Sequence, residues 1–300
     1  MLLNLEQFGF QALWSPYFLV FLLLLLFTFI YFGTRKRHIF EGEEPLRKKE
    51  LYLFTFSLFL VYIVKGSPLD LIGHFMFTFH MIQMALLYLL VPPLVIVSVP
   101  GWMWKKILSF PVVKGVFKLF TKPVAALLLF NGMFSFYHIP IIFDTVKTNI
   151  MYHAVYSILL FVAATFMWWP LVNKVDDYHH LTGLKKVAYL FADSVLITPA
   201  CALIIFNNTP LFDTYVNTEL WIQSLQLCVP PDVVSDLNLA GPEMFNFMPP
   251  LHDQQAGGVI MKVLQELIYG VVLYRVLAEW FRNEEKDRDF ISSMKKQTMN

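Results

Sequence analysis

Charge is scarce in this chain. Only 15% of its 300 residues are Asp, Glu, Lys or Arg, against about 25% in a soluble domain. With a net charge of +1 and no basic patch interleaved with aromatics, it offers no nucleic-acid surface. Cysteine is nearly absent: Cys201 and Cys228 stand alone, without a CxxC or CxxxC pair. A thioredoxin-like protein or a thiolate-pair metal carrier therefore has no basis here, and no disulfide is expected. There is no GxSxG, no HExxH and no phosphate-cradling glycine loop, so hydrolase and nucleotide chemistry find no motif. The N-terminus, MLLNLEQFGFQALWSP, lacks basic residues; Arg35, Lys36 and Arg37 come after the first apolar run. That order predicts a retained first span with its N-terminus outside, not a cleaved signal.

What the chain has in excess is apolar and aromatic side chains, 57% and 17%. One water-soluble core cannot hide that much, so the fold class is an all-α polytopic membrane protein. Seven apolar segments are legible: 16–32, 51–64 (extendable into 47–50), 69–91, 123–139, 151–172, 187–206 and 258–280. Pro92-Pro93 should end the third, leaving Leu94–Val99 as a tail at the inner interface. Pro123 starts the fourth as first helical turns tolerate. Trp168-Trp169 close the fifth as an interfacial belt. With the N-terminus outside, all of the 23 lysines and arginines except Lys65, Lys147 and Lys262 fall on inner segments or ends. So lopsided a split predicts seven spans with the N-terminus outside and the C-terminus inside. The membrane domain is 1–282, with a long outer loop at 207–256 whose Trp221, Met244, Phe245 and Met248 should pack over the bundle mouth. Residues 283–300 form a charged cytoplasmic tail. Gly101–Lys122 reads as an interfacial segment or a plain loop.

Polar residues inside such a bundle point to chemistry. Of eight histidines, His38, His179 and His180 lie on the inner side. His74, His80, His138, His153 and His252 all fall in the outer half or beside it. The stretch GHFMFTFHMIQM, from Gly73 to Met84, adds Met76, Met81 and Met84. Imidazole and thioether together suit copper, Cu(I) above all, and suit Mg or Ca poorly. On a continuous helix at roughly 100° per residue, Met76, His80 and Met84 share a face. His74 and His80 then differ by about 120° and make poor partners for one ion. The compact proposal is His80 with Met76 or Met84, completed by His138 or His153 from neighbouring helices. Each member also has a plainer reading. A single histidine bonds helices together, and a methionine stripe fills a core. Two histidines at one depth would also suit a b-type heme. Asp144 and Asp253 are candidates to orient a ligating imidazole, though Asp253 would equally cap the seventh helix. Asp193 and Arg275 would pair in the inner half, and Lys262 with Glu266 at i, i+4.

The motifs GHFMFTFHMIQM followed by PPL, then YHIPIIFD, MYH with FMWWP, and DQQAGGVIMKV occur in order from Ser67 to Lys262. Together they resemble the bacterial cytochrome c oxidase assembly factor family of the CtaG type. The resemblance implies a non-enzymatic protein of the bacterial cell membrane, needed to form active caa-type heme–copper oxidase. It implies delivery of copper to the catalytic copper centre, with oxidase subunits as partners and an extracytoplasmic copper chaperone as donor. The family's histidines correspond to His74, His80, His138 and His153, and its DQ..GG element to Asp253, Gln254, Gly257 and Gly258. Many members of the family carry a further His or Glu one turn after the position of His153. This chain has Tyr156 and Ser157 there, which leaves one ligand on that helix. An assembly scaffold without metal is the competing expectation.

Overall fold

The computed structural model of the chain describes residues 2–40, 44–175, 179–237 and 239–298, with side chains for 5–38, 44–175, 179–237, 239–282 and 284–285. It is all-helical, with no strand among the described residues. The main helices are α1 (Pro16–Thr34), α2 (Lys48–Lys65), α3 (Pro68–Phe75), α4 (Phe77–Ser98), α5 (Pro123–Tyr137), α6 (Pro140–Lys147), α7 (Ile150–Val172), α8 (Leu184–Phe206) and α9 (Pro250–Thr298). Among the described residues, five helices are long and apolar enough to cross a membrane. The number rises to seven if α2 with α3, bent by 43°, and α5 with α6, bent by 80°, each form one span. Large apolar side chains stand exposed along α1 (Phe21, Leu24, Phe27), α7 (Ile158, Leu159), α8 (Phe191, Val195) and α9 (Val263, Leu267, Val271). Stripes of that kind are unstable against water and match hydrocarbon.

Two departures from the expected segments matter. The helix does not stop at Pro92-Pro93. A π-helical stretch, Ala85–Leu90, lets the Val91 N–H reach the Leu86 carbonyl, and the helix resumes through Ser98. Pro92 has no N–H to offer the carbonyl one turn back; the Trp168 indole donates to that Tyr88 carbonyl instead, at 3.3 Å. Neither Trp168 nor Trp169 is an interfacial anchor. Both are fully buried, Trp169 edge-on to Trp104 and Phe117.

The second departure is a break at Met76, whose backbone is extended (φ −132°, ψ 129°) between α3 and α4. The first N–H groups of α4 would be orphaned inside the bundle. Asp253 of α9 accepts from them, Phe77 N at 2.6 Å and Thr78 N at 3.1 Å, while Thr78 Oγ1 donates back to the Asp253 carbonyl. A carboxylate at a helix N-terminus is favoured by both hydrogen bonding and the helix dipole.

Most core aromatics belong to one cluster spanning α4 to α9. A second cluster lies at the end of the bundle carrying residues 207–249, here the loop end. There the N-terminal turn (Phe8, Ala12, Leu13) and α3 (Leu71, Phe75, Met76) pack with Trp221, Leu225 and Val229. The expected loop is shorter than 207–256, because Pro250 starts α9 and the polar run Leu251–Ala256 is already helical. It contains the helices Thr218–Leu225 and Pro231–Asp236. Phe245 and Met248 pack on the second cluster as expected, whereas Met244 is exposed. Gly101–Lys122 holds two short helices, Gly101–Ile107 and Pro111–Phe120, the second with Val112, Val116 and Leu119 exposed. The helix of α9 runs on through the charged segment to Thr298, without a break at 282.

Asp193 does not pair with Arg275, which is exposed. Its carboxylate takes Asn131 Nδ2 at 2.5 Å and the Tyr269 hydroxyl, joining α5, α8 and α9. Lys262 and Glu266 do pair, at 2.9 Å.

Candidate metal site

Six helices converge on a small cavity in the loop half of the bundle. α3 supplies His74; α4 supplies His80, Gln83 and Met84; α7 supplies His153, Tyr156 and Ser157; Lys65, Tyr137 and Lys147 complete the wall from α2, α5 and α6. The free space is about 20 Å³, which holds roughly one water-sized particle. The His74 and His153 rings lie 6.3 Å apart between centroids. His80 packs against Phe77, Tyr137 and Phe143. Its Nε2 is buried with no hydrogen-bond partner among the described residues. Such an orphan in a low-dielectric interior calls for an explanation, an ion among them.

The break at Met76 decides which sulfur joins this wall. Met84, two turns along α4 from Phe77, lines the cavity. Met76, in the extended residue, turns into the second cluster beside Phe75 and Trp221. The shared face of Met76, His80 and Met84 required an unbroken helix, and the helix starts one residue too late for it. The same break removes the geometric objection to pairing His74 with His80, since the two sit on separate helices and line one cavity.

His138 is buried at the C-terminal end of α5, but is not part of the cavity wall. Its Nδ1 donates to the Phe134 carbonyl at 2.8 Å, and its Nε2 is buried without a partner among the described residues. Tyr137 and Phe143 pack against both the His80 and His138 rings. His252 is exposed on α9 and takes no part.

Neither carboxylate expected to orient an imidazole does so. Asp253 caps α4. Asp144 accepts from Asp213 N, Thr214 N and Thr214 Oγ1, tethering the 207–249 segment to α6. Both are drawn to backbone N–H groups at helix starts, which are more numerous than imidazole N–H groups and equally unsatisfied.

Two lysines were not anticipated at the site. Lys147 is fully buried, with Nζ 3.3 Å from His74 Nδ1. Lys65 pairs with Asp70 at 2.6 Å. The signal for them was present in the charge pattern: they are two of the three basic residues on the wrong side of the positive-inside split. Asp70 leads to a further group. Asp70, His74 and Cys228 each offer a ligand atom, all within 4.8 Å of one another. Both cysteines are free. Burial, then the Asp70 carboxylate, push the Cys228 thiol well above its ordinary range.

Residues 25–283 match the family of the cytochrome c oxidase caa3 assembly factor (Caa3_CtaG). The chain belongs to this family. No curated protein and no solved structure matches it. As a caa3 assembly factor it has a role in building an oxidase, which implies contact with oxidase subunits and points to a non-catalytic task. The resemblance noted in its DQ..GG element acquires a physical meaning in this assembly factor. Asp253 caps α4. Gln254 donates to the Ile204 carbonyl at the end of α8 and accepts from Leu211 N. A Cβ on Gly257 would stand 2.7 Å from the Phe77 ring, and one on Gly258 2.7 Å from Ile205. The motif is the seam by which α9 approaches α4 and α8 and so sets the start of the helix that carries His80.

Proposed function

We propose that this assembly factor holds one Cu(I) in the cavity of His74, His80, His153 and Met84 and passes it to an oxidase subunit within the membrane. The observation that carries the reading is the buried, unpartnered Nε2 of His80, on a residue that shares with two further histidines and a methionine the wall of a cavity with room for about one ion. Imidazole and thioether are soft enough for Cu(I). Lys65 and Lys147 on the same wall raise the cost of added positive charge, which favours a monovalent over a divalent ion. His138 supports the ring packing around His80 and stands as a further ligand only if Tyr137 and Phe143 yield. The charge asymmetry of the sequence supports an orientation with the N-terminus and the loop end outside, in which an extracytoplasmic copper chaperone would reach this cavity. The only basic residues at variance with that orientation are the two at the cavity and Lys262, which is paired. A b-type heme finds no support, because the cavity is far smaller than a tetrapyrrole.

Copper stoichiometry on purified full-length protein tests this reading. The wild type should retain about one equivalent, and His80→Ala and His153→Ala much less. Equal retention by all three, or oxidase assembly unaffected by either substitution, would remove copper from the proposal. Loss of assembly with copper retained would favour the metal-free scaffold.

A further inference from the structure

We propose that Asp70, His74 and Cys228 form a second metal site, which takes a soft or borderline transition-metal ion through one thiolate, one imidazole and one carboxylate. Three chemically different ligands meet here from two distant parts of the chain. Asp70 and His74 sit one turn apart on α3, at the i, i+4 spacing that shares a face. Cys228 comes from the segment 207–249, just beyond the helix Thr218–Leu225. Its Sγ lies 3.3 Å from Asp70 Oδ2. Ligands around a tetrahedral ion with bonds of about 2.0–2.3 Å are separated by roughly that distance. The remaining separations, up to 4.8 Å, close with rotamer adjustments of about an ångström.

The surroundings are built for orientation. Lys65 holds Oδ1 of Asp70 at 2.6 Å, and Gln83 Nε2 approaches the same oxygen at 3.4 Å. Oδ2 is thereby left to the thiol and the ion. Outer partners of this kind fix ligand geometry in metal sites. Gln83 is itself pinned by the carbonyls of Leu69 and Val64, at 2.8 and 3.2 Å. It fits only because residue 73 is glycine: a Cβ there would lie 2.4 Å from the Gln83 Oε1. A thiolate and a carboxylate carry two negative charges beside Lys65 and Lys147, so an added cation is opposed less here than in the neighbouring cavity, whose wall holds both lysines and no carboxylate. Binding forms the metal–sulfur bond and breaks the Cys228 S–H bond, and the proton leaves to solvent past the half-buried cysteine. The mixed N, O, S set suits copper or zinc and discriminates against Mg or Ca.

His74 also lines the cavity, so an ion captured here is one ligand exchange from it. That last step, and only that step, rests on the copper reading given above.

Co(II) serves as the probe, added to the full-length protein in detergent. A thiolate-to-cobalt charge-transfer band should appear in the near ultraviolet at about one equivalent. Cys228→Ser should abolish it, Asp70→Asn should weaken binding by about tenfold or more, and His80→Ala should leave it intact. Alkylation of Cys228 in the unmodified protein provides a readout that needs no variant: Co(II) should slow it by about tenfold or more. Absence of the band in the wild type, its survival in Cys228→Ser, or an unchanged alkylation rate would overturn the site. Copper measured in parallel separates the two proposals. A Co(II) band without retained copper removes the cavity reading alone, and retained copper without the band removes this one alone.

Discussion

Two buried polar clusters sit in the same bundle and behave in opposite ways. Asp193 has both carboxylate oxygens occupied, by Asn131 and Tyr269, on helices that run unbroken past it. The histidine cavity lies where the helices are interrupted, at Met76 and at the bend between α5 and α6, and leaves His80 Nε2 without a partner. A satisfied polar group in a membrane bundle joins helices. An unsatisfied one stores binding capacity, at a cost in stability. Burial is similar in the two clusters; what separates them is that the charged group of the first, the Asp193 carboxylate, has both oxygens occupied, with only the neutral Asn131 Oδ1 beside it unpartnered, whereas in the second an imidazole nitrogen able to bind an ion is left open.

That contrast can be tested by removing one member from each side. The largest effect on stability is expected from Asp193→Ala, which strands the Tyr269 hydroxyl inside the core and leaves Asn131 only its bond to the Leu127 carbonyl. It should cost about 2–3 kcal/mol in thermal unfolding in detergent and leave copper retention unchanged. Asp253→Ala removes the cap of α4 and should cost about 1–2 kcal/mol. Because α4 carries His80, copper retention should fall with it, and loss of stability without loss of copper would separate the seam from the cavity. At the Cys228 site the sign of pH dependence follows from the raised thiol. The free thiol stays protonated at neutral pH, so binding releases one proton, and Co(II) affinity should rise about tenfold per pH unit. A flat profile would exclude a thiolate ligand. His80→Ala should change stability by no more than about 1 kcal/mol while copper is lost, the reverse of Asp193→Ala. The smallest effect is expected at His252, exposed on α9: His252→Ala should leave both the melting temperature and bound copper as they are.

Much of the scaffold was legible along the chain. The apolar runs beginning at Pro16, Pro123 and Met151 became α1, α5 and α7 to within two residues at either end, because length and hydropathy are local properties that lipid rewards directly. The Lys262–Glu266 pair was legible for the same reason, as both residues lie on one helix. The break at Met76 was not. Nothing in FMFTF disfavours a helix; the interruption is stable because Asp253, 176 residues away, accepts from Phe77 N. Pro92-Pro93 misled in the other direction, since the carbonyl they orphan finds the Trp168 indole of another helix. His80, Met84 and His153 could be grouped from the sequence as one of its alternatives, but His74 could not be joined to them, because its place beside His80 depends on that break.

By itself, then, the sequence determined that this protein is an all-helical membrane bundle with histidines concentrated toward one end. Composition and charge asymmetry act residue by residue and need no partner to be read. Tertiary structure alone decided that Met84 and not Met76 lines the cavity with His80, that Lys65 and Lys147 share it, and that Cys228 comes within 3.3 Å of Asp70 across 158 residues of chain. Those outcomes depend on which distant group satisfies a stranded backbone amide or carbonyl, and that choice is made only when the helices pack.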